Sequence, residues 1–154
     1  MNVTAGQQPL TPMGSHSGFF IDPVKLGQLR EGAAPGSQKL ARLFEELNTC
    51  YQHDCYFAIA MLTRAVLDCV PTCFGMKTFA EVVNNYSWGR SKRDAMDHLQ
   101  NSARKIADLH LHGGGAEDVL PSQAQVNFGP SLDLLLAEVL KTRSGRDAAA
   151  EPSS

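Results

Sequence analysis

The sequence has no large excess of charge of either sign, and it has few aromatic residues. Its 14 lysines and arginines against 16 aspartates and glutamates leave a net charge of −2, and 7% of its residues are aromatic. A protein that binds nucleic-acid phosphates over a broad basic surface needs excess positive charge, so this class is disfavoured. The 43% hydrophobic content likewise disfavours a wholly disordered chain, and 154 residues support a single domain.

Segments that would target or anchor the protein in a membrane are also missing. The first dozen residues contain neither the basic n-region nor the apolar h-region of a secretory signal. The longest apolar run, over residues 56–70, is shorter than a membrane-spanning helix and contains Arg64 and Asp68. We therefore expect a cytoplasmic protein that makes no contact with a membrane and keeps its thiols reduced.

Three common catalytic motifs are absent from the sequence. The glycine triplet at residues 113–115 follows a predicted helix instead of a strand, so it is not a phosphate-binding loop. Neither a serine nucleophile elbow nor a His-Glu-x-x-His metal helix is present. The residues between Cys50 and Cys55, and between Cys69 and Cys73, number at the upper end of the range for paired zinc ligands. The sequence instead favours these cysteines as small hydrophobic residues in buried helices. The sequence therefore predicts no metal and no other cofactor.

The two ends of the chain differ in composition from its middle. Residues 1–36 contain four of the eight prolines and six of the 13 glycines, which predicts a flexible or loosely docked arm. The apolar segment 19–21 within it is expected to dock on the protein's own core. Residues 143–154 are predicted to form a disordered tail. A helical domain is predicted over residues 37–142.

Helical periodicity dominates this central domain. Apolar residues recur every three or four positions, which places them on one face of a helix, and strand patterns are nearly absent. The seam along the longest predicted helix runs through Met96, Leu99, Ala103, Ile106 and His110. The residues expected to cap helix N-termini are Ser37, Asp54, Thr78, Ser91 and Ser131. The sequence therefore predicts an all-α fold, a bundle of four or five helices.

Arg64 and Asp68 are the most unusual charged residues in this pattern. They lie four residues apart, and so on the same face, in the most apolar predicted helix. A buried guanidinium needs a partner, which favours an Arg64–Asp68 ion pair that sets the helix register. The alternative is that Arg64 faces a groove or a dimer seam and binds an anion.

The longest predicted helix is rich in arginine and histidine. The residues close to one stripe are Arg93, Asp97, Arg104, Asp108 and His112, and those on flanking faces are His98, Lys105 and His110. A histidine can transfer a proton near neutral pH and an arginine can hold a phosphate, which suits phosphodiester cleavage. The alternative is a solvated face with ion pairs four residues apart, which is favoured for Arg93–Asp97. The Asp108–His112 pair differs because it directly precedes the glycine triplet.

Two segments carry a resemblance to a known family. One is FAIAMLTRAVLD, residues 57–68, on an apolar helix that an extended linker follows, and the other is SARKIADLHLHG, residues 102–113. Together they resemble the HEPN superfamily (higher eukaryotes and prokaryotes nucleotide-binding), in particular bacterial domains of defence-associated proteins. The resemblance covers residues 37–142. It implies a helical homodimer, because catalytic members are metal-independent ribonucleases whose arginine and histidine act across a dimer.

In those members, four to six residues separate the catalytic arginine from the histidine. The resemblance therefore implies two placements of the motif in this chain. Arg93 and His98 have four residues between them, with an aspartate directly after the arginine. Arg104 and His110 have five residues between them, with Lys105 at the polar position.

A third alignment has a different consequence. The segment 108–112 then matches the end of the family motif, and Ala107 stands where the catalytic arginine belongs. That alignment implies a degenerate site. The chain is then a non-catalytic module that dimerises and recruits a protein partner, and its charged pairs are structural.

The leading prediction is a HEPN-like homodimer that acts on or recognises RNA or nucleotides, as a metal-independent ribonuclease in a defence or toxin-type system. The residues predicted to form the catalytic set are the general acids or bases His98, His110 and His112, the phosphorane-stabilising Arg93 and Arg104, and Asp108. The residues predicted to bind a ligand beside them are Arg64, Asp68 and Lys105. The alternative is the non-catalytic module with a degenerate site.

Overall fold

The structure, a computed structural model, describes residues 18–32, 34, 36–112 and 120–150, with side chains as far as residue 146. Every regular element in these ranges is helical, and they contain no strand. The predicted all-α fold is therefore confirmed. It follows from apolar residues that recur at helical spacing along most of the chain.

The described chain forms eight α-helices, with a 3-10 turn after the third and a π turn inside the longest. Their bounds are α1 Pro23–Arg30, α2 Ser37–Gln52, α3 Tyr56–Cys69, α4 Phe79–Asn85, α5 Arg90–His98, α6 Arg104–His112, α7 Gln123–Val126 and α8 Gly129–Ala150. The 3-10 turn is Val70–Phe74, and the π turn, Leu99–Ala103, joins α5 and α6 into one continuous helix. The long helices α2, α3, α5–α6 and α8 form the bundle, and the short ones pack around it.

The core consists of apolar side chains that face inward from every long helix. Its largest fully buried members are Phe44, Phe79, Ile21, Leu29, Leu40, Leu47, Ile59, Leu67, Met96, Leu99, Leu132 and Leu135. Burying one side chain of this size contributes ~1.5–3 kcal/mol relative to leaving it exposed. Helix α3 lies at the centre of the bundle, because it contacts α2, α6 and α7.

The π turn changes which residues of the long helix face the core. Met96, Leu99 and Ala103 are buried as the predicted seam requires, but the next fully buried residue is Ala107 and not Ile106. A π turn is closed by a hydrogen bond that spans one more residue than in an α-helix. The inward face therefore moves by one position, and Ile106 only packs against the edge of the core.

The starts of α2 and α3 correct two predicted N-caps. Helix α2 follows Gly36, whose φ of 82° is left-handed, so Ser37 is the first helical residue and not the cap. Helix α3 follows Cys55, and Asp54 has a φ of 54°. The short connection must reverse the chain sharply, and aspartate tolerates the left-handed region better than most residues. Asp54 therefore shapes the turn instead of capping the helix.

The later helices confirm one predicted cap and correct two. Thr78 caps α4, because its hydroxyl accepts a hydrogen bond from the Glu81 backbone N–H at 3.2 Å. Helices α5 and α8 begin earlier than predicted, so Ser91 and Ser131 lie inside them. In α8 the earlier start accommodates Pro130, since the first turn of a helix needs no backbone N–H donor.

The segment before α2 is part of the helical fold. Phe20 and Ile21 are buried in the core, which confirms the predicted docking for these two residues, whereas Phe19 is 61% exposed. The Ile21 N–H donates to Asn48 Oδ1 at 2.7 Å, and Asn48 Nδ2 donates to the Ile21 carbonyl at 3.0 Å. The domain boundary predicted at residue 37 is therefore corrected, because this amide and two leucines of α1 tie the segment to the bundle. Residues 1–17 of the predicted arm lie outside the described residues.

Helix α8 extends beyond its predicted end. It continues to Ala150, whereas the tail was expected to begin at residue 143. The Arg143 guanidinium donates to the Leu29 carbonyl at 3.2 Å, which joins this part of α8 to α1. The remaining tail residues, 151–154, lie outside the described residues.

One stretch of the described residues is long and apolar enough to cross a membrane by length and composition alone. It is Tyr56–Phe74, and 44% of its most apolar window is buried inside the fold. The central helix of a bundle is expected to be apolar nearly all round. The position of α3 in the core therefore explains this stretch.

Candidate functional site

Four predicted site residues form two ion pairs that cross between α3 and α6, called here the crossed ion pairs. Arg64 pairs with Asp108, and Arg104 Nη2 lies 2.9 Å from Asp68 Oδ1. The helices are antiparallel, so two residues four apart on one helix face two residues in reverse order on the other. The predicted pairs within each helix are therefore wrong. Arg64 and Asp68 each bind across the interface, and His112 has no carboxylate partner among the described side chains.

The crossed ion pairs are partly exposed to solvent. The exposed fractions are 34% and 50% for the side chains of Arg64 and Asp108, and 29% and 56% for those of Arg104 and Asp68. Exposed ion pairs typically contribute ~0–1 kcal/mol because water screens them. Each of these arginines also has a carboxylate beside it, so its charge is largely balanced within the chain.

The histidines of the long helix lie in three different environments. His98 Nδ1 is 3.2 Å from Ser102 Oγ near the π turn. The His110 ring packs edge-on against Phe57, with 5.6 Å between the ring centroids. His112 is exposed at the end of α6. The structure therefore does not bring the predicted general acids and bases together within one chain.

The predicted arginine–histidine pairs do not share a helix face. Arg93 and His98 are five residues apart, and Arg104 and His110 are six apart. Because an α-helix turns by about 100° per residue, the two members of each pair point roughly 120–140° apart. Arg93 and Lys105 are both exposed. Neither pair therefore converges on one site within its own helix.

A cavity of about 270 Å³ lies beside the Arg104–Asp68 pair, between the end of α3, the start of α4 and the π turn. Its polar lining consists of Asp68, Lys77, Thr78, Gln100 and Arg104. Gln100 Oε1 and Arg104 Nε are buried and have no hydrogen-bond partner among the described residues. An unpaired buried polar atom costs ~1–3 kcal/mol. Atoms of this kind point to a bound ligand or an ordered water.

Sequence reasoning missed Lys77 and Gln100 as candidate site residues. Lys77 precedes the cap of α4 and belongs to no recognisable motif. Gln100 lies in the π turn, and the spacing of apolar residues in the sequence does not reveal a π turn. The cavity joins residues from three separate segments, so only the packing of those segments brings them together.

A second polar cluster, the Glu138 cluster, joins α8 to the segment around the start of α5. Glu138 is only 5% exposed. It accepts hydrogen bonds from the Tyr86 hydroxyl at 3.0 Å, from the Lys141 ammonium at 3.2 Å and from the Lys92 ammonium. Burial by itself raises the pKa of Glu138, but the hydrogen bonds from Lys92, Tyr86 and Lys141 outweigh it and lower the pKa. The bond to Glu138 also raises the pKa of Lys92.

Sequence reasoning also missed Glu138, although a signal was available. Glu138 lies three residues after Leu135 and directly before Val139, on the apolar face of α8. A carboxylate at such a position needs buried partners. Its burial and its three partners indicate a structural role.

The cysteines behave as small apolar residues. All four are free thiols, and Cys73 is buried. Burial raises the pKa of Cys50, Cys69 and Cys73, which keeps these thiols protonated near neutral pH. No group of three or more potential metal ligands occurs in the described part of the chain.

Three exposed apolar side chains lie where α3 begins and α6 ends. They are Phe57, Leu109 and Leu111, with exposed fractions of 47%, 51% and 55%. The contact between Phe57 and His110 places the two helix ends side by side. These residues are called the α3–α6 end below.

Comparisons with known proteins add no relative from which a function could be transferred. No family model matches the chain, and no curated protein or solved structure matches it. Membership of the HEPN superfamily therefore stays a prediction from the two sequence segments.

Proposed function

We propose that this chain is a HEPN-like helical module that works as a homodimer, in which a second copy docks on the α3–α6 end. The observation that carries this proposal is the exposure of Phe57, Leu109 and Leu111 at adjacent helix ends. Exposed apolar side chains are typical of interaction sites, and at about 100° per residue Leu109 and Leu111 lie on either side of His110 and flank its contact with Phe57. A two-fold symmetric dimer presents the same patch from each copy, so each patch covers the other.

The charges beside the α3–α6 end suit a copy of the same chain. Arg64 and Asp108 lie next to it, carry opposite signs and are partly exposed. A symmetric copy can therefore place its own Asp108 near Arg64 and its own Arg64 near Asp108. RNA would meet carboxylates beside both arginines, which weakens electrostatic attraction. Dimerisation and recruitment of a protein partner are therefore the function that we favour.

A metal-independent ribonuclease is the second candidate, and one observation favours it. Neither ring nitrogen of His110 has a hydrogen-bond partner among the described residues, although both nitrogens are buried. A dimer formed through the α3–α6 end brings the two His110 rings near the shared seam. A pair of imidazoles there could act as general acid and general base on RNA or a nucleotide, in a defence or toxin-type system.

Sedimentation equilibrium of wild type and a Phe57→Asp/Leu109→Asp variant tests the dimer. We expect a dimer for wild type and a monomer for the variant, because two buried carboxylates would face their copies across the seam. Leu134→Asp is the matched control, since Leu134 is exposed on α8, away from this end. Circular dichroism checks that each variant folds. A monomeric wild type, or a double variant that stays dimeric, would contradict the proposal.

RNA cleavage in the presence of a chelator separates the two candidates. The proteins to compare are wild type, His110→Ala, His112→Ala and His98→Ala. The ribonuclease candidate predicts at least a hundredfold loss for His110→Ala. Equal cleavage by all four proteins, or none by any, would remove that candidate and leave the dimerisation module.

A further inference from the structure

The cavity beside the Arg104–Asp68 pair has a positively charged polar wall. Lys77 and Arg104 contribute two positive charges, and Asp68 contributes one negative charge that Arg104 already binds. Lys77 is exposed. Glu81 Oε2 accepts a hydrogen bond from the Lys77 backbone N–H at 3.0 Å, but no carboxylate pairs with the Lys77 ammonium among the described residues. The lining therefore favours an anion over a neutral or cationic ligand.

The wall of this cavity carries hydrogen-bond donors and one hydrogen-bond acceptor. Arg104 Nε is a donor without a partner, and Gln100 Oε1 is an acceptor without a partner, within the described residues. The Thr78 hydroxyl accepts from the Glu81 N–H, so it retains a proton that it can donate. An anion that also carries a proton satisfies all of these groups as the structure places them.

The size and location of the cavity limit that ligand further. About 270 Å³ is near the lower end of the range for small-molecule sites, so the cavity takes a small anion and not a polymer. Gln100 belongs to the π turn, and π turns occur frequently at functional sites. The terminal torsion of a glutamine side chain is broad, so Oε1 can turn toward a ligand.

We infer that this cavity binds a protonated phosphate group, either as free phosphate or on a small monoester. Its unprotonated oxygens accept hydrogen bonds from Arg104, Lys77 and Thr78, and its P–OH donates to Gln100 Oε1. The cavity lies where the π turn meets the last turn of α3. This place is at the opposite end of α3 from Phe57 and so away from the α3–α6 end. It therefore does not depend on the proposed dimer.

Titration calorimetry at about pH 6, where a phosphate monoester keeps its second proton in roughly half of the molecules, tests the site. The probes are inorganic phosphate, glycerol 2-phosphate, dimethyl phosphate and sulfate. We expect the first two to bind and the last two to bind at least about tenfold more weakly, because they carry no proton for Gln100. Binding of inorganic phosphate alone would identify free phosphate as the ligand, and binding of the monoester at least as tightly would identify a small phosphomonoester.

Variants of the lining test the same assignment. Gln100→Met keeps the volume and removes the acceptor, and Lys77→Gln removes the uncompensated charge. Each should lower phosphate affinity about tenfold, with thermal unfolding confirming that the variant is folded. Lys39→Gln is the matched control, because Lys39 is exposed on α2 and does not line the cavity. Equal binding of sulfate and phosphate, unchanged affinity in Gln100→Met, or no heat at about 10 mM phosphate would overturn the inference.

Discussion

The Glu138 cluster and the crossed ion pairs both join two helices through carboxylates and basic side chains, but they differ in burial. Glu138 is 5% exposed and has three donors. The side chains of Asp68 and Asp108 are 56% and 50% exposed, and each has one arginine partner. The same chemical groups should therefore contribute differently to the free energy of unfolding in the two places. Burial makes a missing partner costly, whereas water replaces a missing partner at the surface.

The comparison also separates structural from functional charge. In the Glu138 cluster, both oxygens of the carboxylate accept hydrogen bonds from other side chains of the chain. Beside the crossed ion pairs, Gln100 Oε1 and Arg104 Nε are unpaired next to a cavity. These unpaired atoms favour ligand binding at this cavity over the Glu138 cluster.

Removal of the buried carboxylate should have the largest effect on stability. Glu138→Ala leaves the Tyr86 hydroxyl without its acceptor and a void in the core, so we expect a loss of about 3 kcal/mol in the free energy of unfolding. Urea denaturation followed by circular dichroism measures it. Glu46→Ala is the control, since Glu46 is half-exposed in a surface pair with Arg42, and it should lose less than about 0.5 kcal/mol. Equal losses in the two variants would remove the distinction between the regions.

The pH dependence of stability should come from the same carboxylate. The pKa of Glu138 is lower in the folded chain than in the unfolded chain, where it is about 4.3. Its contribution is therefore complete above about pH 4.3 and is lost as the pH falls through the folded pKa. Urea denaturation between about pH 6 and pH 3 should show wild type approaching Glu138→Gln as the pH falls. A constant difference between the two proteins over this range would contradict the assignment.

The crossed ion pairs should show the smallest effect. A double-mutant cycle of Arg64→Met and Asp108→Asn is expected to give a coupling of about 0.5 kcal/mol at low salt. The coupling should fall further in about 1 M NaCl, because salt screens exposed charges. A coupling above about 2 kcal/mol would mean that this pair is desolvated, for example in the seam of the proposed dimer.

Much of the fold could be predicted from the sequence, because helix formation depends on neighbouring residues. The apolar spacing of α2, the cap at Thr78 and the docking of Phe20 and Ile21 all follow from short segments. One corrected cap shows where this local reasoning fails. Ser37 has the right side chain for an N-cap, but Gly36 before it adopts the left-handed conformation and takes that position.

The candidate site could be predicted only in part. The sequence identified Arg64, Asp68, Arg104 and Asp108 as unusual, and the structure brings these four together. The predicted ion-pair partners of these residues were wrong, because the i, i+4 rule describes one isolated helix. A neighbouring antiparallel helix offers each arginine a second carboxylate at the same level along the helix axis.

The sequence by itself determined that this chain is helical and which residues carry unusual charge, since both depend on local spacing and residue type. Only the tertiary structure decided which charges pair, where Glu138 finds its donors, and how a π turn places Gln100 beside Lys77. Pairing and burial depend on the distance between segments that are far apart in the sequence. The packing of the bundle sets that distance.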